Sequence, residues 1–433
     1  MMRTWALPWL LPAIPFLGAA LSLLWWSSLG RMKIWALSTT VAALPATIAL
    51  STDLNPFIGT PMLFLVPLTA FLSLLGQPLH QKNRLAWSMT LVLMGLGLGI
   101  LTVRDSLIDL LLAGLLGLLC WLTYRHQRSS PSHAWRESAT YGLGMVSALL
   151  SLILPPSVSG FAALIACATL LPLVPLHRGF IAALTELPGN LPAFLALLLP
   201  LVGFHRVALL YQDFSPHVLE TLGLVALIGA CYGSLRAFAQ LRAPARLAYG
   251  GTAFLCLLWW YLAETHTVPV HSTVYVVAVG LALSGLLLAW YSVRARYGDV
   301  DLKALGGMVY PMPRFSTLFA LLALAALGMP PFGVFAGFMG MMLSPGFMPT
   351  AAFAVVVVVW FSASWYCIDL LQQVIFGRGR PDLRYEDLHR AESAALVTIV
   401  LLLLALGLAP PRFFQPGTAS FPDAVATKAV TWP

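Results

Sequence analysis

Four side chains in or beside long apolar runs are of types that carry protons or cations: Glu186, His177, Asp109 and Asp369. A carboxylate or imidazole surrounded by hydrocarbon is costly, and it is normally kept for ion transfer or because a partner neutralises it. Glu186 is a candidate for transport chemistry, with a helix N-cap or loop carboxylate beside Pro188 as the alternative. A histidine ordinarily titrates near neutrality, so His177 would suit proton uptake, or else it caps a broken helix. Asp109 lies near one end of its run and Asp369 lies within a later one. Each is read as a transport group or as a solvated or paired carboxylate. His205 and Arg206, late in their run, are read as marking the membrane interface.

Other chemistries fail on residue type and spacing. The five cysteines (Cys120, Cys167, Cys231, Cys256 and Cys367) fall inside apolar runs without C-x-x-C spacing. They are expected as small buried residues rather than a disulfide frame or an iron–sulfur site. No nucleophile stands with a base, and no metal, flavin or quinone fingerprint occurs, so no catalytic residue, metal or cofactor is expected. The run Gly95, Gly97, Gly99 sits inside an apolar stretch with no following strand, and it reads as close helix packing, as do Gly333 and Gly337.

The elements that must position these groups follow from composition. Hydrophobic residues fill 59% of 433 positions and charged residues only 9%, against about 25% charged in a soluble domain. That balance makes an integral membrane protein. Backbone amides in hydrocarbon must pair internally, which leaves helices or a closed barrel. The apolar runs are about 20 residues long without strict alternation, which selects helices. Spans are expected at 5–26, 34–52, 61–77, 85–103, 106–124, 138–155, 159–184, 188–211, 218–238, 247–264, 270–293, 316–343, 350–375 and 392–410. The fold class is therefore all-α, a polytopic bundle of about 14 transmembrane helices forming one domain over 1–433, with 411–433 as an external tail. The first run lacks a strong basic start and a cleavage site, so it is read as a retained span.

The net charge of +8 is spread one to a few residues per loop, which argues against nucleic acid and for basic cytoplasmic loops beside a lipid bilayer. With these spans, 19 of the 24 Lys and Arg residues fall on one face. Arg3, Arg104, Arg206, Arg412 and Lys428 fall on the other. The skew puts both termini outside, in a bacterial cytoplasmic membrane. Pro172 and Pro175 interrupt the seventh span, and Pro330 and Pro331 interrupt the twelfth after Gly328. Proline removes a helical hydrogen bond and clashes with the preceding turn, so both helices are expected to break. Broken helices at corresponding places in two halves point to inverted repeats and a transporter-like architecture.

Several segments now line up with one family. Pro175-Leu176-His177, Glu186-Leu187-Pro188 and Gly203 resemble a signature of antiporter-like subunits. These occur in proton-pumping NADH:quinone oxidoreductase (respiratory complex I), membrane-bound hydrogenases and Mrp sodium/proton antiporters. Leu247-Ala248-Tyr249, Leu305-Gly306-Gly307, Met312-Pro313, Gly328-Met329-Pro330-Pro331-Phe332, Phe376-Gly377 and Asp387-Leu388 with Glu392 follow in the family's order. The resemblance covers about residues 85–410. It implies a relay of ionisable side chains at mid-membrane, and here the sequence departs. The expected glutamate falls at Leu115, the expected lysines at Leu170 and Leu201, the histidine or lysine at Phe254, and the charge after the second break at Phe338. The family's Trp-Leu-Pro-Asp-Ala-His stretch is lost at Gly179 to Leu184.

An intramembrane charge costs about 2.5–3.5 kcal/mol on insertion scales and is kept when it carries ions. Its replacement by Leu or Phe implies a lapsed relay. The resemblance therefore implies an antiporter-like subunit of a multi-subunit ion-coupled complex, scaffolding or coupling other membrane subunits. One alternative is an active proton or sodium transporter using a hydrated path through Glu186 and His177. Another is the membrane subunit of an energy-coupled inorganic-carbon uptake system. Its partner would then be carbonic-anhydrase-like, where the first reading implies an oxidoreductase partner.

Overall fold

The computed structural model describes residues 3–54, 60–78, 83–103, 107–126, 131–211, 214–298, 302, 306–344, 347, 351–376 and 386–409. Arg104, Asp105, Leu305, Gly377, Arg412, Lys428 and the expected tail 411–433 lie outside them. Among the described residues all regular structure is helical, in 16 α-helices. They are α1 (Arg3–Ser22), α2 (Leu29–Leu54), α3 (Thr60–Leu75), α4 (Arg84–Thr102), α5 (Leu107–His126) and α6 (Pro131–Ile153). Next come α7 (Pro156–Leu170), α8 (Arg178–Thr185), α9 (Leu191–Leu210), α10 (Pro216–Phe238), α11 (Ala243–Thr265) and α12 (Val270–Tyr297). The last four are α13 (Pro313–Ala326), α14 (Gly333–Met342), α15 (Ala352–Val374) and α16 (Arg390–Leu408).

Each expected span has its helix, with the seventh split into α7 and α8 and the twelfth into α13 and α14. Among the described residues, eight helices are long and apolar enough to cross a membrane unaided, while α7, α13 and α14 are shorter apolar pieces. α2 and α6 begin earlier than expected, at Leu29 and Pro131. Arg31 and Lys33 in α2 and Arg136 and Glu137 in α6 lie in these early turns, and helix continues past the boundary that hydropathy marks.

The order of elements repeats. Three full helices, a broken helix and a full helix occur as α4, α5, α6, α7–α8, α9 and again as α10, α11, α12, α13–α14, α15. Each copy crosses five times, an odd number, so the second copy runs inverted to the first. α12 and α9 form the centre, with 94% and 83% of their spans buried, whereas α2, α10 and α15 are 33% buried. A helix apolar on all sides belongs in the bundle interior.

The second and third helices dock through polar contacts. Asn190, at the start of α9, donates to Ser73 on α3 (3.0 Å) and Thr90 on α4 (2.9 Å). Trp87 donates to the Gln77 side chain at 2.8 Å, and Lys33 reaches the Gln77 carbonyl. On the face with the basic loops, Asp387 accepts the backbone N–H groups of Arg314 (2.7 Å) and Phe315 (3.2 Å), so a carboxylate caps the start of α13.

Candidate functional site

Both breaks fall where the prolines place them, and both contain a cis X-Pro bond, Val174-Pro175 and Pro330-Pro331. Where α7 stops at Leu170, carbonyls lose their helical partners and need others. α11 supplies them: Trp259 donates its indole N–H to the Leu171 carbonyl at 3.1 Å, and the Cys256 thiol reaches the Pro172 carbonyl at 3.5 Å. Gly203 lets α9 close on this break, because a Cβ there would lie 2.7 Å from the Leu171 backbone nitrogen. In the second break Gly328 takes φ +78°, a conformation that favours glycine. The Trp360 indole of α15 fills the space beside it.

The five positions where the resemblance implies charge are packed with hydrocarbon. Leu115, Leu170 and Leu201 are fully buried, Phe254 is buried, and Phe338 packs against the core. Four rings close the second half of the bundle. Trp360 lies 4.1 Å from Phe338 and 5.1 Å from Phe254 between ring centroids. Tyr275 stands 6.4 Å from Phe338, and its hydroxyl donates to the Phe254 carbonyl at 3.1 Å. Behind this cluster lies a small apolar cavity lined by Leu247, Phe254, Leu283, Tyr366 and Cys367, with room for about one water.

The four sequence candidates separate into two kinds. Asp109 and Asp369 are paired. Asp109, in the first turn of α5, accepts two hydrogen bonds from Arg206 of α9, at 2.9 and 2.8 Å, and is 5% exposed. Asp369 of α15 accepts from Arg246 of α11 at 2.6 Å and from Gln373 at 2.8 Å. Arg246 is buried and also holds the Gln240 carbonyl. Late in α9, His205 is buried and the Arg206 side chain, 14% exposed, pairs with Asp109.

His177 and Glu186 bracket α8. His177 stands at its N-cap position without making a side-chain cap hydrogen bond. Its ring is buried against Tyr232 (5.2 Å) and Tyr249 (6.1 Å), and the Arg236 guanidinium lies over Tyr249. Glu186, half-buried, is the C-cap residue of α8, in place of the N-cap alternative. The structure does not bring these two together with Asp109 and Asp369 into one cluster. Among the described residues no group of three His, Cys, Asp or Glu could hold a metal ion, and the five cysteines are free, three of them buried.

In the sequence Arg246 is one of the 19 basic residues of one face, and nothing sets it or Trp360 apart. Alternating crossings put the start of α5 and the end of α9 on one face, so a basic residue late in one and an acid early in the other signalled a pair. Nothing local in the sequence signals Trp360, whose contacts come from α11 and α14.

The profile of the family described as "NADH:quinone oxidoreductase/Mrp antiporter, TM" matches residues 142–364. An NAD(P)H-quinone oxidoreductase chain 4 from a Synechococcus species is 29% identical over 269 residues, 58% of this chain and 50% of the relative. The chain spans about half the length of the curated relatives it matches. A subunit of respiratory complex I from Thermus thermophilus shares the fold with a TM-score of 0.77 at 20% identity, over 94% of this chain and 96% of that one. A subunit of the Mrp complex from Dietzia sp. does so with a TM-score of 0.77 at 17% identity, over 96% of each chain.

Proposed function

The chain belongs to the NADH:quinone oxidoreductase/Mrp antiporter transmembrane family, and from that premise we propose that it is a member whose own relay has lapsed. In this reading it scaffolds and couples other membrane subunits of an ion-driven complex. The observation that carries it is the hydrocarbon filling of Leu115, Leu170, Leu201, Phe254 and Phe338. A proton moves between groups that donate and accept, and an intramembrane charge is retained at a cost when it serves that purpose. Here the cost has been removed while the broken-helix framework persists.

Partner subunits follow from the relatives, whose names and sources are multi-subunit membrane complexes. The basic loops would face the cytoplasm of a bacterium and both termini the outside. The inorganic-carbon reading draws no support from these likenesses. The active-transporter reading retains one favourable observation, the burial of His177 beside two tyrosines at the first break.

Affinity purification of the native protein from its own membranes in a mild detergent tests the partner claim. The expected result is co-elution with other polytopic subunits in fixed stoichiometry. A stable, monodisperse single chain eluting alone under those conditions would contradict it.

A further inference from the structure

Two carboxylate–arginine pairs, Asp109–Arg206 and Arg246–Asp369, occupy equivalent places in the inverted repeats with their charges exchanged. In the first repeat the acid, Asp109, lies in the first turn of the second helix, α5, and the base, Arg206, lies near the end of the fifth, α9. In the second repeat the base, Arg246, lies in the first turn of the second helix, α11, and the acid, Asp369, lies near the end of the fifth, α15. Because the repeats are inverted, the two pairs sit at opposite faces of the bundle. The Arg246–Asp369 pair lies on the face with the basic loops.

Each pair stands in front of a buried thiol. Cys167, on α7 one turn before the break, is buried, and α9 closes on that break at Gly203, one turn from Arg206. Cys367, on α15, is buried and lines the small cavity together with Leu247, the residue after Arg246. Asp109 and Arg206 have side chains 7% and 14% exposed, while Arg246 is 4% and Asp369 33% exposed, so each pair closes the bundle near its own face. The two-pronged contact of Arg206 with Asp109 fixes α5 and α9 in angle as well as distance, while Arg246 holds Asp369 through one nitrogen and the Gln240 carbonyl through two others. Losing one partner leaves a charge that recruits water.

We propose that these pairs are matched seals, each clasping the second and fifth helices of its repeat and keeping water from the broken helix behind it. The seals act from opposite sides of the membrane. The inference rests on the inverted-repeat fold and holds whether or not the protein conducts ions.

The native cysteines report on it. Two variants, one retaining Cys167 alone and one Cys367 alone, are labelled in vesicles with a membrane-impermeant maleimide applied from either side. With both pairs intact, labelling is slow from both sides. Asp109→Asn is expected to speed Cys167 at least tenfold from one side and leave Cys367 unchanged. Asp369→Asn is expected to speed Cys367 by a similar factor from the other side. The exchanged pair Asp109→Arg with Arg206→Asp returns Cys167 to slow labelling. If Asp109→Asn does not accumulate, Arg206→Lys serves in its place, since it keeps the charge and loses the two-pronged fit. Unchanged labelling in the single variants, or both thiols opening from the same side, overturns the proposal.

Discussion

Replacing Leu170 with lysine is expected to destabilise the folded subunit by about 2.5–3.5 kcal/mol. Leu170 is fully buried where α7 breaks, and its Cβ would lie 3.2 Å from a Cβ on Gly203, so α9 leaves little room for water. Lysine has an aliphatic stem that fits the space, yet its ammonium would be left without a partner. The first-repeat acid on α5, Asp109, is already held by both prongs of Arg206. Leu170→Met is the volume-matched control and is expected to cost less than about 1.5 kcal/mol. Thermal unfolding in detergent ranks the two. Equal stability of the lysine and methionine variants would mean that the position is hydrated and that the framework still accommodates a relay charge.

Removing the Arg296 guanidinium is expected to cost about 3–5 kcal/mol, as for a broken buried ion pair. Arg296, at the end of α12, donates to both oxygens of Glu392 at 3.2 and 2.7 Å. It also binds the carbonyls of Glu386, Asp387 and Ser292. Glu392 is 3% exposed and accepts the His389 backbone N–H at 2.8 Å, closing a capping box at the start of α16. Arg296→Gln would leave that carboxylate buried and unpaired, and would free the segment that carries the Asp387 cap of α13. Arg296→Lys should fall between wild type and Arg296→Gln, because a single ammonium cannot reproduce the fork. Adding Glu392→Gln to Arg296→Gln should recover part of the loss. Thermal unfolding with proteolysis before α16 is the measurement. A double variant as unstable as the sum of its singles would show that the two side chains act independently.

Much of the architecture was legible because the bilayer imposes it. Span length, the absence of internal charge and the basic skew are one-dimensional signals, and they gave a helix for each expected crossing. The two breaks were legible from Pro172, Pro175, Pro330 and Pro331, whose missing N–H groups no helix can replace. The partners of those breaks were not legible. Trp259 and Cys256 meet the freed carbonyls from a helix more than eighty residues away, and no local pattern encodes that approach. The same holds for Trp360, which meets Phe254 and Phe338 from a third helix. Asp109 and Asp369 were visible as acids in apolar runs, but which arginine neutralises each depends on three-dimensional packing. Their pairing fits the paired-carboxylate reading of these positions and is the observation on which the proposed seals rest.

The central claim is that hydrocarbon has replaced the relay, and ion flux through the purified protein in liposomes tests it most directly. Under an imposed proton or sodium gradient, the account predicts flux no greater than in protein-free liposomes, for wild type and for Glu186→Gln alike. Sustained flux through wild type that Glu186→Gln abolishes would contradict it.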